Sequence, residues 1–194
     1  MNPSSPENAG QTSRFWHVVR EWVQTIVIAL AIALPIRYFI AEPFIVQGAS
    51  MDPTFASGQF LIVDRLSYRF EEPQRGDVVI FEYPNDPSLF YIKRIIGLPG
   101  ETIKINDGIV TIVNKENPKG FQLKDQYVDP DHASHDSEEA TLSTTQYFVM
   151  GDNRSQSSDS RKWGALEKNF IVGRPIFRLL PVNTISVFPG EQRQ

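Results

Sequence analysis

The sequence contains no cysteine. This absence excludes disulfide bonds, a thiol nucleophile, and zinc or iron–sulfur sites that depend on cysteine ligands. Lysine and arginine form no basic run, and the formal net charge is −4, which gives a nucleic-acid-binding role little support. What the chain does have is 194 residues, 41% of them hydrophobic. That is enough for one well-packed domain and an appendage.

One long apolar segment lies near the N-terminus, at residues 22–40. An α-helix of this length spans roughly 28 Å, close to the thickness of a bilayer's hydrocarbon core. Pro35 is tolerable in such a helix, and Arg37 lies near its end, where its side chain can reach the interface. A buried core helix and a cleaved signal peptide are the alternatives, but Phe-Ile-Ala at residues 39–41 lacks the small residues of a cleavage site. The segment therefore predicts a transmembrane anchor.

The charges that flank this segment predict its orientation. Arg14 and Arg20 precede it and Arg37 alone lies at its far end, which favours a cytoplasmic N-terminus. We therefore expect a single-pass protein of the plasma membrane, with its main domain on the outer face. Its predicted parts are a cytoplasmic tail at residues 1–21 (disordered over 1–10), a transmembrane anchor at 22–41, and a domain at 42–194.

After the anchor, the sequence is typical of a β protein. Runs of β-branched and aromatic residues separated by turn residues predict strands at 60–63, 77–81, 90–96, 102–105, 109–113, 146–150 and 184–188. Asn106-Asp107-Gly108 predicts a hairpin turn, and residues 66–70 are compatible with one turn of helix. Residues 114–145 are polar and are predicted to be a loop-rich insertion. The expected fold class is mostly β, one compact domain behind a single helix.

The predicted strand at residues 90–96 carries two cations. Because strand side chains alternate, Tyr91, Lys93 and Ile95 share one face and Arg94 falls on the other. Such cations are commonly edge-strand charges, or they reach water along the strand surface. A buried lysine, however, has a lowered pKa and can act as a neutral amine, whereas arginine stays charged. Lys93 is therefore a candidate general base.

Ser50 lies in the turn-rich run 47–55, a setting that can expose a hydroxyl. It is either an ordinary loop serine or a nucleophile, and a nucleophile needs a base within hydrogen-bond reach. His17 would lie on the inner side of the membrane. His132 and His135 lie in a polar loop, which could instead bind a metal. A serine–lysine pair is then the economical hypothesis.

Residues 150–164 form a third informative stretch, rich in Asp, Arg and Ser. It is either a polar turn held by its own hydrogen bonds or a set of side chains that position the candidate amine and its strand.

Four segments in this order resemble the bacterial type I signal peptidases: residues 48–55, 75–81, 91–101 and 151–164. They lie behind an N-terminal apolar segment, as in that family, and the resemblance covers most of the chain except the tail and residues 114–145. It implies a membrane-anchored serine endopeptidase that removes N-terminal signal peptides from exported preproteins. It also implies that the preproteins, the lipid bilayer and the nearby secretion translocon are partners, and that no nucleic acid, cofactor or metal takes part.

The resemblance implies roles for the matched residues. Ser50 corresponds to the nucleophile and Lys93 to the general base. Ser157 corresponds to the serine whose hydroxyl orients the lysine amine. The other supporting residues it implies are Asp152, Asp159 and Arg161, with Arg94 as a neighbouring structural arginine. Small side chains of an Ala-x-Ala substrate would fit shallow apolar pockets lined by Phe44, Val46, Met51, Tyr91 and Ile92.

Gly48 departs from the pattern of the better-known Gram-negative members, which carry a serine there whose hydroxyl helps to form the oxyanion hole. Losing one such donor costs about 3 kcal/mol of transition-state stabilisation, so we expect a backbone N–H or a water to replace it. Phe55 replaces the more usual leucine, an apolar change that would narrow the substrate pocket.

Two other functions fit the sequence. One is a membrane-tethered β domain that binds peptides without chemistry, in which case Ser50 and Lys93 are incidental. The other is a serine–lysine protease that acts on different substrates, such as regulatory or stress proteins.

Overall fold

The computed structural model describes residues 8–35 and 41–192, with the side chains of the first helix described from Trp16 onward. Most of the predicted disordered tail (residues 1–7) and the predicted end of the anchor, with Arg37, lie outside the described residues. The chain separates into two compact units, Met1–Ile40 and Ala41–Gln194.

The first unit contains one helix, α1, at Asn8–Pro35. It begins well before residue 22, so residues 8–21, which were expected to belong to the tail, are helical. The physical reason is that residues 11–21 contain neither Pro nor Gly, so nothing in this segment interrupts the helix. Within α1, Trp16–Pro35 is long and apolar enough to cross a membrane, with a mean hydropathy of 1.6 over its 20 residues.

The second unit contains an eight-stranded and a four-stranded antiparallel sheet. The strand order of the larger sheet is β1 (Ala41–Ile45), β2 (Phe60–Asp64), β11 (Ile171–Leu180), β3 (Val78–Tyr83), β4 (Asp86–Gly97), β9 (Gln146–Met150) and β10 (Leu166–Glu167), and β12 (Ser186–Val187) pairs with β11. The order of the smaller sheet is β7 (Phe121–Gln122), β6 (Ile109–Val113), β5 (Thr102–Asn106) and β8 (Glu138–Thr141). The short helix α2 covers Ser160–Trp163. The predicted mostly β class is confirmed.

Several local predictions also agree with the structure. The turn between β5 and β6 contains Asp107 (φ 51°) and Gly108 (φ 78°), two left-handed residues of the kind that a tight two-residue hairpin requires. The helical turn near residues 66–70 is a 3₁₀ turn at Ser67–Arg69.

The largest difference is β11, a ten-residue strand in the middle of the larger sheet that the sequence patterns did not predict. Gly173 and Pro175 interrupt its pattern, and the strand accommodates Pro175 beside a shift of register against β2. The strand expected at residues 184–188 is reduced to β12, because Val182–Thr184 forms a 3₁₀ turn. The predicted insertion at 114–145 contains β7 and β8.

β4 positions the functional side chains because it is covered on both faces. Ile95 packs in a core cluster with Val79, while Ile96 packs in another with Ile103. Lys93 shares the face of Ile95, and Arg94 shares the face of Ile96. Both cations are therefore in the interior, a situation that sequence alternation alone had left open.

Candidate active site

The loop between β1 and β2 presents Ser50. Two of its side chains, Met51 and Phe55, are fully buried in a core cluster with Val46 and thereby fix the loop to the domain. The backbone N–H of Phe55 donates to the carbonyl of Met51 (2.9 Å), which closes a tight turn just after Ser50. Gly48 has a φ of 86°, a left-handed conformation that favours glycine. Apart from its chain neighbours, no atom of the described residues lies within 4 Å of the place a Cβ would occupy. Backbone conformation, rather than close packing, therefore accounts for glycine at this position.

Lys93 reaches this loop from β4. Its Nζ lies 2.7 Å from Ser50 Oγ and 2.9 Å from the carbonyl oxygen of Ile92. Only 4% of Lys93 is exposed, and the ring of Tyr91 lies 5.3 Å from the amine. The structure thus brings together the serine and the lysine that the sequence analysis had paired.

Burial lowers the pKa of Lys93 from 10.5 to about 8, because the protein interior disfavours the charged amine. The negative charges of Asp159 and Asp152 act in the opposite direction and raise this pKa. In the described part of the chain no carboxylate forms an ion pair with Lys93, so desolvation dominates. The result is an amine that can lose its proton near neutral pH.

Asp152 and Arg94 form a fully buried pair on the other face of β4. Arg94 donates from Nε to Asp152 Oδ1 (2.8 Å) and from Nη2 to Asp152 Oδ2 (2.6 Å). The guanidinium also donates to the carbonyl of Gly76 and lies 4.0 Å above the ring of Tyr127. Thr54 Oγ1 donates to Asp152 Oδ2 (2.6 Å), which ties this pair to the serine loop. Asp152 therefore contacts Arg94 and Thr54, and it does not contact the amine of Lys93.

Asp159 and Arg161 support the site from the α2 side. Asp159 caps α2 and accepts a hydrogen bond from the backbone N–H of Gly151 (3.0 Å). Although burial by itself raises the pKa of Asp159, the hydrogen bonds and the charge of Arg161 bring it below its usual range. Gly151 lies against Ser50, and a Cβ at this position would collide with the Ser50 carbonyl oxygen.

Ser157 is buried beside Gly151, but its hydroxyl is not hydrogen-bonded to Lys93. It lies near enough to Asp159 to lower the pKa of that carboxyl, without forming a hydrogen bond of normal geometry. The orienting contact that was expected between Ser157 and the amine is therefore absent from the described part of the chain; the carbonyl of Ile92 holds the amine instead.

A cleft of about 590 Å³ adjoins the Ser50–Lys93 pair. Of the predicted substrate-binding residues, Phe44, Val46, Tyr91 and Ile92 line it. Met51 does not line it, which corrects the expectation for this residue: its side chain points into the core and supports the serine loop. Further residues line the cleft that no local sequence pattern identifies, because their place in it depends on which strands flank it: Leu89, Phe90, Gln156 and Ser158.

The backbone around the cleft has free hydrogen-bonding edges. β4 pairs with β9 only from Arg94 onward, so its Tyr91–Lys93 segment has no strand beside it on that edge in the described structure. Among the described strands, β1 pairs with β2 alone. The rings of Phe44 (β1) and Phe90 (β4) are in edge contact, with centroids 5.3 Å apart, and connect the two strands. An extended peptide can therefore pair with β4 and present its side chains to the apolar lining.

The histidine loop that had suggested a metal site lies elsewhere. His135 Nδ1 contacts Asp107 Oδ1 at 2.6 Å, in the turn between β5 and β6. Within residues 8–35 and 41–192, no three His, Cys, Asp or Glu residues form a group that could hold a metal ion.

The chain is similar to several known proteins. A family model described as "Signal peptidase, peptidase S26" matches residues 19–180. The chain is 35% identical over 175 residues to a protein named probable signal peptidase I-1 from Synechocystis sp., covering 87% of this chain and 86% of that one. It is 37% identical over 169 residues to signal peptidase I of Bacillus licheniformis, covering 85% and 90%. A solved signal peptidase I from Enterococcus faecalis V583 matches 54% of this chain and 97% of its own, with 29% identity and a TM-score of 0.45.

Proposed function

The chain belongs to the signal peptidase family, peptidase S26, as a signal peptidase I, and we propose that it carries out its chemistry with Ser50 as the nucleophile and Lys93 as the general base. The observation that carries the proposal is the 2.7 Å contact between Ser50 Oγ and the buried amine of Lys93. A serine nucleophile requires a base at this distance, and no histidine contacts Ser50 in the described structure. A pKa of about 8 suits the lysine to this task, because a base works best when its pKa is near the working pH.

In the first half of the reaction, neutral Lys93 takes the hydroxyl proton of Ser50 while Oγ attacks the carbonyl carbon of the scissile peptide bond. The carbonyl oxygen becomes an oxyanion. The backbone N–H of Ser50 donates no hydrogen bond within the described structure, which leaves it free to stabilise this oxyanion. When the tetrahedral intermediate collapses, the C–N bond breaks, Lys93 protonates the departing amine, and an acyl-enzyme remains.

In the second half, a water molecule attacks the ester of the acyl-enzyme and Lys93 takes a proton from it. The bond between the acyl carbon and Ser50 Oγ breaks, the serine recovers its proton from Lys93, and the signal peptide leaves as a carboxylic acid. Each step uses only the two side chains and water, so the chain's own residues supply all the proton transfers.

The substrate proposal rests on the cleft. An extended preprotein segment pairs with the free edge of β4 at Tyr91–Lys93, and the side chains before the scissile bond face Phe44, Val46 and Ile92. Shallow apolar walls suit small side chains such as those of Ala-x-Ala. The preprotein is thereby held as an added strand, which places its carbonyl beside Ser50.

The membrane proposal rests on α1. Its Trp16–Pro35 segment anchors the enzyme in the plasma membrane, with the N-terminus in the cytoplasm and the catalytic domain on the outer face. The bilayer and the nearby translocon, from which preproteins emerge, complete the set of proposed partners.

The test is cleavage of a preprotein with an Ala-x-Ala site by the full-length protein in detergent. Ser50→Ala and Lys93→Ala are each expected to abolish processing while leaving the fold unchanged by circular dichroism. Lys104→Ala is the matched control, because this lysine is 43% exposed on β5 and its replacement should leave processing intact. Retained processing in either site variant would refute the dyad. Binding of the preprotein without cleavage by the wild type would favour the non-enzymatic alternative, and cleavage elsewhere would favour a protease with other substrates.

A further inference from the structure

The insertion at residues 114–145 contributes no residue to the cleft lining, yet part of it is firmly held. The backbone N–H of Gly108, in the turn between β5 and β6, donates to the carbonyl of Asp136 (3.1 Å). A Cβ on Gly108 would collide with the carbonyl oxygen of Ser134, so the turn and residues 134–136 are in close contact. The contact of His135 with Asp107 adds a second connection. We call residues 134–136 the brace loop.

The brace loop contacts Arg161 through two side chains. Nη1 of Arg161 donates to Ser134 Oγ (2.9 Å) and to Asp136 Oδ2 (2.5 Å). Only 5% of the Arg161 side chain is exposed, whereas half of the Asp136 side chain is. Asp136 thus reaches inward from the surface to hold a buried guanidinium.

The remaining donors of Arg161 are also used. Nε donates to Asp159 Oδ1 (2.8 Å), and Nη2 donates to Asp159 Oδ2 (2.7 Å) and to the carbonyl of Arg154 (2.8 Å). With the two bonds from Nη1, all five N–H groups of the guanidinium have acceptors. Because the guanidinium is a rigid plane, fixing Nη1 in the brace loop also fixes the direction in which Nε and Nη2 face Asp159.

Asp159 connects this arrangement to the reacting atoms. Its Oδ2 accepts the hydrogen bond from Gly151 N, and Gly151 lies against the carbonyl of Ser50. The backbone N–H of Asn153 donates to that same carbonyl (3.1 Å). The negative charge of Asp159 also acts on Lys93, together with that of Asp152. A displacement of Asp159 would therefore move both the serine loop's support and a charge that acts on the base.

We propose that Ser134 and Asp136 are positioning residues for catalysis: they hold Arg161, which holds Asp159 and Gly151 against the Ser50–Lys93 pair. This role rests on the dyad proposed above. It gives the insertion and the four-stranded sheet a function, since the β5–β6 turn of that sheet supports the brace loop.

The test uses the double variant Ser134→Ala/Asp136→Ala in the full-length protein, with preprotein cleavage as the assay. We expect kcat to fall about tenfold with KM unchanged, because misplacement of a supporting group affects the transition state more than substrate binding. The matched control is Asp131→Ala, which removes an exposed carboxylate from the same segment. Its side chain forms no hydrogen bond or ion pair in the described structure, so its kcat should equal that of the wild type.

A second arm repeats the double variant in an Arg161→Lys background. Lysine keeps the charge but cannot reach Asp159 and the brace loop together, so the loop substitutions should have no further effect there. An undiminished effect in this background would overturn the proposal, as would a double variant whose kcat matches the control or whose only change is a lower melting temperature. Ser50→Ala is run alongside: if it still cleaves, the dyad itself is wrong, whereas an inactive Ser50→Ala with a fully active brace-loop variant refutes the positioning role alone.

Discussion

Replacing Lys93 with methionine tests whether burial lowers the pKa of the proposed general base. Lys93 is 4% exposed, and burial lowers its pKa from 10.5 to about 8 in the folded protein. In the unfolded chain the amine is in water and keeps its ordinary pKa. A pKa that differs between the two states makes the free energy of unfolding depend on pH through this one residue.

The sign follows from the protons bound in each state. Below pH 8 the amine is protonated in both states, and the folded state carries the full cost of the buried charge, about 3 kcal/mol for a shift of this size. Between pH 8 and 10.5 the folded state has released the proton and the unfolded state has not, so stability rises with pH. Above 10.5 neither state is charged and the cost disappears. Methionine has a similar length and no charge, so it avoids this cost at every pH.

The measurement is urea unfolding of wild type and Lys93→Met at pH 7 and pH 10, followed by tryptophan fluorescence in the same detergent. The stability of the variant relative to wild type should be about 2 to 3 kcal/mol higher at pH 7 than at pH 10. Loss of the hydrogen bonds to Ser50 and Ile92 lowers the variant's stability at both pH values, and other groups titrate alike in both proteins, so these effects cancel. Lys104→Met, at an exposed site, should show no such change. A relative stability that is constant with pH, or that grows toward pH 10, would mean that the folded amine is hydrated and charged, and the reasoning would be wrong.

Two further predictions concern the same site. The kcat/KM for preprotein cleavage should rise about tenfold per pH unit up to about pH 8, the pKa of Lys93, and then level off, because only the neutral amine is a base; a plateau already reached at pH 6 in a pH series would contradict this. Gly151→Ala should lower activity by tenfold or more, since its Cβ would collide with the Ser50 carbonyl oxygen. A Cβ on Gly48 would have no described atom within 4 Å beyond its chain neighbours, so Gly48→Ala should cost only about 1 kcal/mol of stability through its left-handed backbone. Kinetics and thermal melting of both variants distinguish the two effects, and equal losses of activity would show that collision is not the cause.

The parts of the fold that the sequence predicts well are those determined by local chemistry. Runs of β-branched and aromatic residues identify β2, β5, β6 and β9, and Asp107-Gly108 identifies the turn between β5 and β6, because these signals lie within a few neighbouring residues. The two faces of β4 follow from alternation in the same way. The fold class, the individual strands and this hairpin turn can therefore be predicted from the sequence alone.

What the sequence could not supply depends on residues distant along the chain. β11 contains Gly173 and Pro175 and becomes a strand because β2 and β3 flank it on both sides. Met51 could equally have lined the cleft or the core, and only the packing of Val46 and Leu61 around it decides. The contact of Asp136 with Arg161 spans 25 positions through a segment that looks like ordinary polar loop. Each of these outcomes is decided by a partner in space that no local pattern identifies.

The adjacent cations of β4, Lys93 and Arg94, show how the protein interior accommodates two kinds of basic side chain in different ways. Arginine cannot lose its charge in a protein, so the interior accepts Arg94 only with a carboxylate in direct, two-point contact, which Asp152 provides. Lysine can lose its charge, so the interior accepts Lys93 without one: Asp159 and Asp152 act on it only through space, and its hydrogen bonds go to a hydroxyl and a carbonyl. A carboxylate moved into contact with Lys93 would favour the protonated amine and remove the base. The proposed role of Lys93 as a base therefore depends on the direction of Asp152 as well as on the position of Lys93, because the carboxylate that neutralises Arg94 is thereby kept out of contact with the amine.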